Sequence, residues 1–185
     1  MKTLTTYKLF RIKEGKLYPL YVNANKPTPM GEWIPAECGP RLENGKVKAK
    51  LGALAFRPGW HSGSKMYDKD GNFLGCVAVA THIGEKANPA DKKPAYRADN
   101  QVWCECLIKE DNGEWQAKAN AQGKVARDKC LREIPVGGYY EYKTNANMFG
   151  SWCISGEIFI NRILTDEEVT AINNKFGVAD LPRRK

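Results

Sequence analysis

The sequence predicts an α+β domain in which a mostly antiparallel β-sheet is joined by one C-terminal helix and a partly helical basic insertion. About six to eight segments rich in β-branched and aromatic residues alternate with turns that contain Gly, Pro, Asn or Asp. Near the carboxyl end, residues 165–168 (TDEE) form a capping box that precedes an apolar helical stripe. The 185 residues suffice for one well-packed core. We therefore expect a single domain over 1–178 and a disordered basic tail over 179–185.

The chain begins with a predicted β-hairpin. Residues 7–12 and 17–22 are β-forming segments on either side of a short polar turn that contains Gly. Period-two alternation places Arg11 on the same face as Tyr7 and Leu9. An arginine on such an apolar face needs an anion or a carboxylate, so Arg11 is a candidate ligand-binding residue. The alternative is a solvated charge on an edge strand.

The central stretch 51–63 (LGALAFRPGWHSG) organises the rest of the sequence. An apolar strand leads into a Pro-Gly turn, an arrangement that presents polar groups at the rim of a sheet. Arg57, Trp60 and His61 are therefore candidate site residues. The competing interpretation is an ordinary turn, with Trp60 in the core and His61 on the surface. The second histidine, His82, follows the next apolar segment and could converge with His61.

A strand that carries a carboxylate on an apolar face is predicted at 101–108 (QVWCECLI). Alternation places its two cysteines on one face and Glu105 on the other, between Trp103 and Leu107. Such a carboxylate has a raised pKa or a dedicated partner, so Glu105 is a candidate acid, base or electrostatic group. The alternative is a partly exposed carboxylate at a sheet edge.

The remainder of the chain predicts a basic excursion and two more strands. Residues 114–132 have the Ala, Gln, Lys and Arg content of a broken helix. Residues 139–145 (YYEYKTN) are predicted as an aromatic strand that ends in polar residues, and 152–160 (WCISGEIFI) as a strand in which Glu157 shares a face with Ser155. The candidate ligand-binding residues of the first of these strands are Tyr139, Tyr140, Lys143 and Asn145.

The net charge of +8 is unevenly placed. The first 60 residues contain 11 basic and 4 acidic residues, a surplus of +7, whereas the rest of the chain is nearly balanced. A concentrated positive charge favours an anionic partner, which can be a nucleotide, a nucleic acid or an acidic host protein. The alternative is a charge excess that only keeps the protein soluble.

Several classes of protein do not fit the sequence. No apolar run approaches the length of a membrane span, and the first residues lack the apolar core of a secretory signal, so we expect a cytoplasmic protein with reduced cysteines. Walker and GxGxxG patterns are absent. The Cys-x-Cys pair puts both sulfurs on one strand face without a turn, so we expect no metal.

The segments YKLFRIKEGKLYPLYVNANKP, LGALAFRPGWHSG, VWCEC, GYYEYKTNANMFGSWCISG and INRILTDEEV together resemble an uncharacterised domain of bacteriophages and of mobile elements of gut bacteria. Similar domains occur inside long polyvalent phage proteins that are delivered with the genome. The resemblance covers residues 7–178. It implies a phage or mobile-element accessory protein, with an anti-defence or host-takeover role in the host cytoplasm.

A more distant resemblance, to ADP-ribosyltransferase-like domains, implies NAD as cofactor and a transferase activity. In that family an early cation and a second-strand motif hold NAD, aromatic residues surround the nicotinamide, and a late glutamate is catalytic. The positions that match these roles are Arg11, His61, Tyr139 or Tyr140, and Glu105 or Glu157. The rival hypothesis is a non-catalytic binder of nucleic acid or of a host defence protein, which uses the same polar rim as a contact surface.

Overall fold

The computed structural model describes residues 1–50, 52–79, 96–122, 131–143 and 150–184. Within them the strands are β1 (Thr3–Lys13), β2 (Lys16–Tyr18), β3 (Trp33–Pro35), β4 (Val47–Ala49), β5 (Gly52–Leu54), β6 (Trp60–Tyr67), β7 (Phe73–Cys76), β8 (Gln101–Lys109), β9 (Tyr139–Tyr142), β10 (Ser151–Ser155) and β11 (Glu157–Ile163). The helices are α1 (Glu114–Ala121) and α2 (Asp166–Asn174).

Nine of these strands form one curled sheet, a half-barrel. Its order is β3-β11-β8-β1-β6-β10-β9, with β2 paired to β1 and β7 paired to β6, and every pairing is antiparallel. The strands β4 and β5 form a separate hairpin. The predicted class, a mostly antiparallel α+β fold, is confirmed.

The strand on which the sheet is built is β1. Nine consecutive residues of β1 pair with β8, and on its other side Tyr7 pairs with Gly63 of β6. After β1 the chain turns through Glu14 and Gly15, which have φ angles of 50° and 75°. Two positive φ angles in a row are the backbone geometry that suits a two-residue hairpin turn. The predicted hairpin is therefore present, with a shorter second strand.

The sheet buries side chains on both faces. The inner face, inside the curl, is formed by Phe10, Leu17, Cys104, Cys106, Ile108, Cys153, Ile158 and Ile160. The outer face packs against the helices in two places. Near α2 its buried residues include Leu9, Trp103, Leu164 and Val169, and near α1 they include Tyr140, Tyr142 and Ile154. Alternation along β8 thus separates the cysteines from Trp103, as the sequence predicts.

Helix α2 begins where the capping box predicts. The Thr165 hydroxyl accepts a hydrogen bond from the Glu168 backbone amide, and the Glu168 carboxylate accepts one from the Thr165 amide. Val169 packs in the outer core. Asn173 is 1% exposed, and its side-chain amide exchanges two hydrogen bonds with the backbone of Ala78, at 2.8 and 2.9 Å. This polar contact joins α2 to the segment that follows β7.

Residues 179–184, expected to be disordered, instead lie against the segment before β8. The Asp180 carboxylate accepts a hydrogen bond of 2.7 Å from the Trp103 indole and lies 3.4 Å from the Arg97 guanidinium. Arg183 donates to Asp166, and this hydrogen bond, with Arg97 nearby, lowers the pKa of Asp166. Arg183 also donates to two backbone carbonyls. The tail is therefore held by specific polar contacts.

One residue, Gly156, joins β10 to β11, although three strands separate them in the sheet order. Two strands so close in sequence can occupy these positions because the sheet curls. A Cβ on Gly156 would fall closer to the Pro135 carbonyl oxygen than real Cβ atoms lie. The Gly156 amide donates to Gly138, and its carbonyl accepts from Ala36. A residue without a side chain is therefore needed at this bend.

The bend corrects the predicted strand at 152–160. That prediction put Ser155 and Glu157 on one face of a single strand. In the structure, Ser155 lies two residues after Cys153 on β10 and shares the inner face with it. On β11, it is Ile158 that points inward. Glu157 therefore lies on the outer face. Alternation is lost at Gly156, because the two sides of the bend pair with different strands.

The central stretch also differs from its prediction. The apolar segment forms the β4–β5 hairpin instead of a strand of the main sheet. Trp60 and His61 do not lie in a rim turn, since they begin the eight-residue strand β6 and point to opposite faces. Trp60 packs against the inner core, and His61 pairs with Ile154 on the outer side. Pairing with β10 therefore outweighs the weak strand propensity of the sequence WHSG.

We predict that Gly156→Ala destabilises the fold by about 3 kcal/mol or more, because the new methyl group collides with buried backbone. Urea unfolding measures the change. Gly113→Ala is the matched control, since Gly113 has open space around it and a φ of 94°, so that backbone strain of about 1 kcal/mol is expected there. Equal losses in the two variants would contradict the steric role of Gly156.

Candidate functional site

Glu105, a candidate catalytic residue, lies on the outer face in a polar network. Asn161 donates a 2.8 Å hydrogen bond to one carboxylate oxygen, and the Arg162 guanidinium lies 3.4 Å from the other. Arg162 also pairs with Glu168 at the start of α2. Burial and the neighbouring Glu105 charge raise the pKa of Tyr7, its partner on β1. Asn161 and Arg162 thus connect Glu105 on β8 to β11, and Arg162 extends the connection to α2.

Glu157, the other candidate acid, lies near one end of the sheet. Its carboxylate accepts a 2.5 Å hydrogen bond from Lys109, and the Lys109 ammonium lies 5.1 Å from the centre of the Trp33 ring. This places Glu157 on β11, at the junction with β3 and β8. The ion pair, about three-quarters buried on each side, supports the edge of the sheet.

The structure does not make His61 a neighbour of either glutamate in the sheet. His61 is on β6, and β1 lies between β6 and β8. Its imidazole meets the Trp152 ring edge to face, with ring centres 6.1 Å apart, and Nδ1 lies 3.2 Å from the Gly59 carbonyl. The catalytic roles of these three residues therefore stay predictions.

The predicted ligand-binding residues fall into separate groups. Arg11 donates to the Ala24 carbonyl and lies over the Tyr18 ring. Trp60 and Tyr139 pack against the inner core, and Tyr140 is buried on the outer side. Lys143 follows directly after β9. Asn145 and the second histidine, His82, lie outside the described residues.

Arg57 belongs to a group of three arginines, which we call the arginine cluster. Arg41 and Arg132 contact Phe56, and Arg57 is the next residue in the chain. The Arg41 guanidinium lies 4.2 Å from the centre of the Phe56 ring, and Arg132 donates to the Phe56 carbonyl over 3.4 Å. Arg57, the next residue in the chain, lies 5.2 Å from the centre of the Tyr142 ring. The buried residue Phe56 thus holds Arg41 and Arg132, and the ring of Tyr142 holds Arg57.

The arginine cluster is an electropositive surface. Within the described part of the chain, neither Arg41 nor Arg57 forms an ion pair with a carboxylate. Arg41 and Arg132 are exposed, and Arg57 is half-buried. Guanidinium groups present donors in a planar fork that matches phosphate and carboxylate oxygens. This surface can therefore receive an anion.

The inner face carries two lysines in contrasting environments. The first, Lys65, reaches the face because a register shift follows Ser151, so that Lys65 pairs with Ser151 and Ser62 with Cys153. Its ammonium lies 2.8 Å from Glu141 and donates to the Tyr139 hydroxyl. Burial opposes the charge, but hydrogen bonds, first of all to Glu141, outweigh it and raise the pKa of Lys65. Lys65 is thus a stably charged, structural cation.

The second, Lys8, has no carboxylate partner among the described residues. Its ammonium donates a 2.7 Å hydrogen bond to the His61 carbonyl and lies 5.6 and 5.8 Å from the ring centres of Phe10 and Trp60. The ionisable groups that face it are the thiols of Cys104 and Cys106. Burial lowers the pKa of Lys8 to about 8, although these thiols favour the charged form slightly.

Several small polar groups surround Lys8. Thr6 and Ser62 are fully buried, and their hydroxyl oxygens have no hydrogen-bond partner in the part of the chain that the structure describes. Burial raises the pKa of the Cys104 thiol to about 12 and that of Cys106 further. The thiols are therefore protonated at neutral pH and are poor nucleophiles. Lys8 is the group on this face that can change its charge near pH 8.

Sequence reasoning missed Lys8, Lys65 and Glu141. The alternation that placed Arg11 beside Leu9 also places Lys8 between Thr6 and Phe10 on the opposite face, so a signal for Lys8 was present. Lys65 and Glu141 are 76 residues apart, and a register shift in β6 brings them together. Such a shift has no clear sequence signature.

The described residues contain no cluster of three or more His, Cys, Asp or Glu side chains that could hold a metal ion. Among the helices in the same part of the chain, none is long and apolar enough to cross a membrane. In comparisons with protein-family models, curated proteins and solved structures, nothing matches this chain.

We predict that Lys8→Met is more stable than the wild type at pH 7 by up to about 3 kcal/mol, because the buried charge is removed. Between pH 8 and 10.5, Lys8 binds fewer protons in the folded state than in the unfolded state, so the stability of the wild type rises with pH. The difference in stability between the variant and the wild type therefore closes across this range. Urea unfolding of both proteins from pH 7 to 10.5 measures it. Lys13→Met, at the exposed end of β1, is the control, and a gap that does not change with pH would contradict the prediction.

We predict that Cys38 reacts before the other four described cysteines when the native protein is treated with iodoacetamide, because among these five it is the exposed thiol. Cys76, Cys104, Cys106 and Cys153 are buried, and burial raises their pKa values, so they should react only after denaturation. Peptide mass spectrometry resolves the sites. Rapid native alkylation of any of these four would show that the inner core opens.

Proposed function

We propose that this chain binds a phosphate-bearing ligand, a nucleotide or single-stranded nucleic acid, at the arginine cluster. The observation that carries the proposal is Arg57, whose half-buried guanidinium stacks on Tyr142 without an ion pair in the described part of the chain. A cation held in place by a ring and not neutralised by a carboxylate keeps its donors available for an anion.

The neighbours of Arg57 support the same ligand. Arg41 and Arg132 contact Phe56, the residue that precedes Arg57, and so bring two further positive charges to this part of the chain. A phosphate bound here would add a negative charge that attracts these guanidinium groups. The rings of Phe56 and Tyr142 are 5% and 8% exposed, so they orient the guanidinium groups and are not free to stack on a base. The recognised group is therefore the phosphate.

The charge distribution favours a polyanion or a nucleotide over a neutral ligand. The first 60 residues, which include Arg41 and Arg57, hold a surplus of seven positive charges. A surplus of this kind raises the association rate of anionic ligands and makes their binding depend on salt.

The resemblance to phage and mobile-element domains supplies the biological setting that we propose. An accessory protein that enters with a genome would act by binding nucleic acid or nucleotides in the host cell. NAD, with its pyrophosphate, belongs to the same ligand class and stays a proposed ligand. The resemblance to ADP-ribosyltransferase-like domains implies a further step, transfer of ADP-ribose with Glu105 or Glu157 as the catalytic carboxylate. Binding at the arginine cluster does not require this step.

We predict that the double variant Arg41→Gln, Arg57→Gln weakens binding of a fluorescein-labelled single-stranded DNA by at least about tenfold. Fluorescence anisotropy across a salt series measures the affinity, and the slope of log Kd against log salt should fall by about two. Lys13→Gln, Lys16→Gln is the matched control, because it removes the same charge from the exposed β1–β2 turn.

Competition distinguishes the two forms of the ligand. Displacement of the DNA by NAD or pyrophosphate at comparable concentrations would assign the site to a free nucleotide, whereas displacement by unlabelled DNA alone would assign it to the polymer. Equal binding by the wild type and the arginine variant would overturn the proposal.

A further inference from the structure

We propose that Lys8 is the nucleophilic amine of a second site, on the inner face of the sheet, that takes a small aldehyde as an imine. This site is distinct from the arginine cluster and does not depend on it. The amine lies on β1, the central strand, and no carboxylate of the described residues pairs with it, whereas Glu141 pairs with Lys65 on the same face.

The immediate surroundings of Lys8 suit a neutral amine better than an ammonium. Phe10 and Trp60 place aromatic rings near the nitrogen, and Cys104, its partner across β1 and β8, contributes a protonated thiol. A single backbone carbonyl, that of His61, accepts from the nitrogen. The rings, the carbonyl and the thiols favour the charged form, but burial outweighs them and lowers the pKa of Lys8 to about 8, which shifts the equilibrium toward the free amine. Free lysine amines are the form that attacks carbonyl compounds.

Two buried hydroxyl groups on the same face of the sheet as Lys8 point to a polar ligand atom. Tyr7 pairs with Gly63 in antiparallel register, so Ser62 is the residue opposite Lys8 on the inner face. Ser62 is fully buried, and its hydroxyl has no partner within the described residues. Thr6, two residues before Lys8 on β1, is also fully buried, and its hydroxyl likewise has no partner within the described residues. A buried hydroxyl without a partner is unfavourable, and a carbonyl oxygen beside Lys8 would satisfy it.

Imine formation needs no reagent other than the Lys8 amine and the aldehyde. The Lys8 nitrogen forms a bond to the aldehyde carbon, and the carbonyl oxygen takes up a proton from the amine to give a carbinolamine. The carbon–oxygen bond then breaks, water leaves with the second amine proton, and a carbon–nitrogen double bond remains. Ser62 acts as a positioning residue that donates a hydrogen bond to the oxygen. The aldehyde must be small, because the residues around the amine are packed and largely buried.

Lys65 serves as an internal reference. It lies on the same face, but its ammonium is paired with Glu141 and hydrogen-bonded to Tyr139, so its proton is retained. The pairing with a carboxylate, and not burial alone, therefore decides which lysine can react. This contrast makes the proposal testable in the wild-type protein, without a variant that could fail to fold.

The test is reductive alkylation of the native protein with acetaldehyde and cyanoborohydride, read out by peptide mass spectrometry at each lysine from pH 6 to pH 10. Cyanoborohydride traps the imine by delivering a hydride to its carbon. At pH 7 we expect Lys8 to react about tenfold faster than the exposed Lys13 and Lys16, since an ordinary lysine titrates at about 10.4 and is almost wholly protonated. The Lys8 rate should level off above about pH 8, and Lys65 should remain unmodified.

A structural lysine would give different results. Modification of Lys8 no faster than that of Lys13, a rate that keeps rising to pH 10, or no modification of Lys8 at all would each overturn the proposal. Ser62→Ala tests the positioning role, because it should slow labelling of Lys8 severalfold while the pH at which the rate levels off stays unchanged. An unchanged rate in this variant would remove Ser62 from the site.

Discussion

The fold depends on a bend of one residue. Gly156 has to connect β10 to β11, and three strands, β8, β1 and β6, lie between them in the sheet. A flat sheet would hold two such strands too far apart for a single peptide unit to bridge, because neighbouring strands are spaced by about 4.8 Å. The sheet must therefore curl until its two sides approach each other. The inner face, with its cysteines, hydroxyls and lysines, exists because of this closure.

Two lysines on the inner face have pKa values that are shifted in opposite directions. Lys65 meets Glu141 and keeps its proton, while Lys8 meets a carbonyl, two rings and two thiols and holds its proton weakly. The arginine cluster shows a third arrangement, in which Arg41 and Arg57 rest on aromatic rings. A guanidinium does not lose its proton on partial burial, so it can serve as a permanent anion receptor. Residue type and the presence of a carboxylate thus separate the proposed roles.

Much of the sheet could be predicted from the sequence, because alternation and capping are local signals. They located the first hairpin, the two faces of β8 and the start of α2. They failed where the chain changes partners: alternation could not reveal the turn at Gly156 or the register shift that moves Lys65 inward. Within the arginine cluster, the sequence singled out Arg57 alone. Arg41 and Arg132 belong to the cluster through their contacts with Phe56, and contacts between residues far apart in the chain leave no local sequence pattern.

The tail contacts have a consequence for the order in which the domain forms. Asp180 meets the Trp103 indole, and Arg184 donates its backbone amide to Arg97, so the last described residues complete the surroundings of the segment that enters β8. The strand β8 pairs with β1, about a hundred residues earlier in the chain. Such long-range pairings are slow to form, because distant segments must meet before any contact stabilises them. During synthesis, the surroundings of Trp103 and of the segment before β8 therefore stay incomplete until residues 180 to 184 have been added.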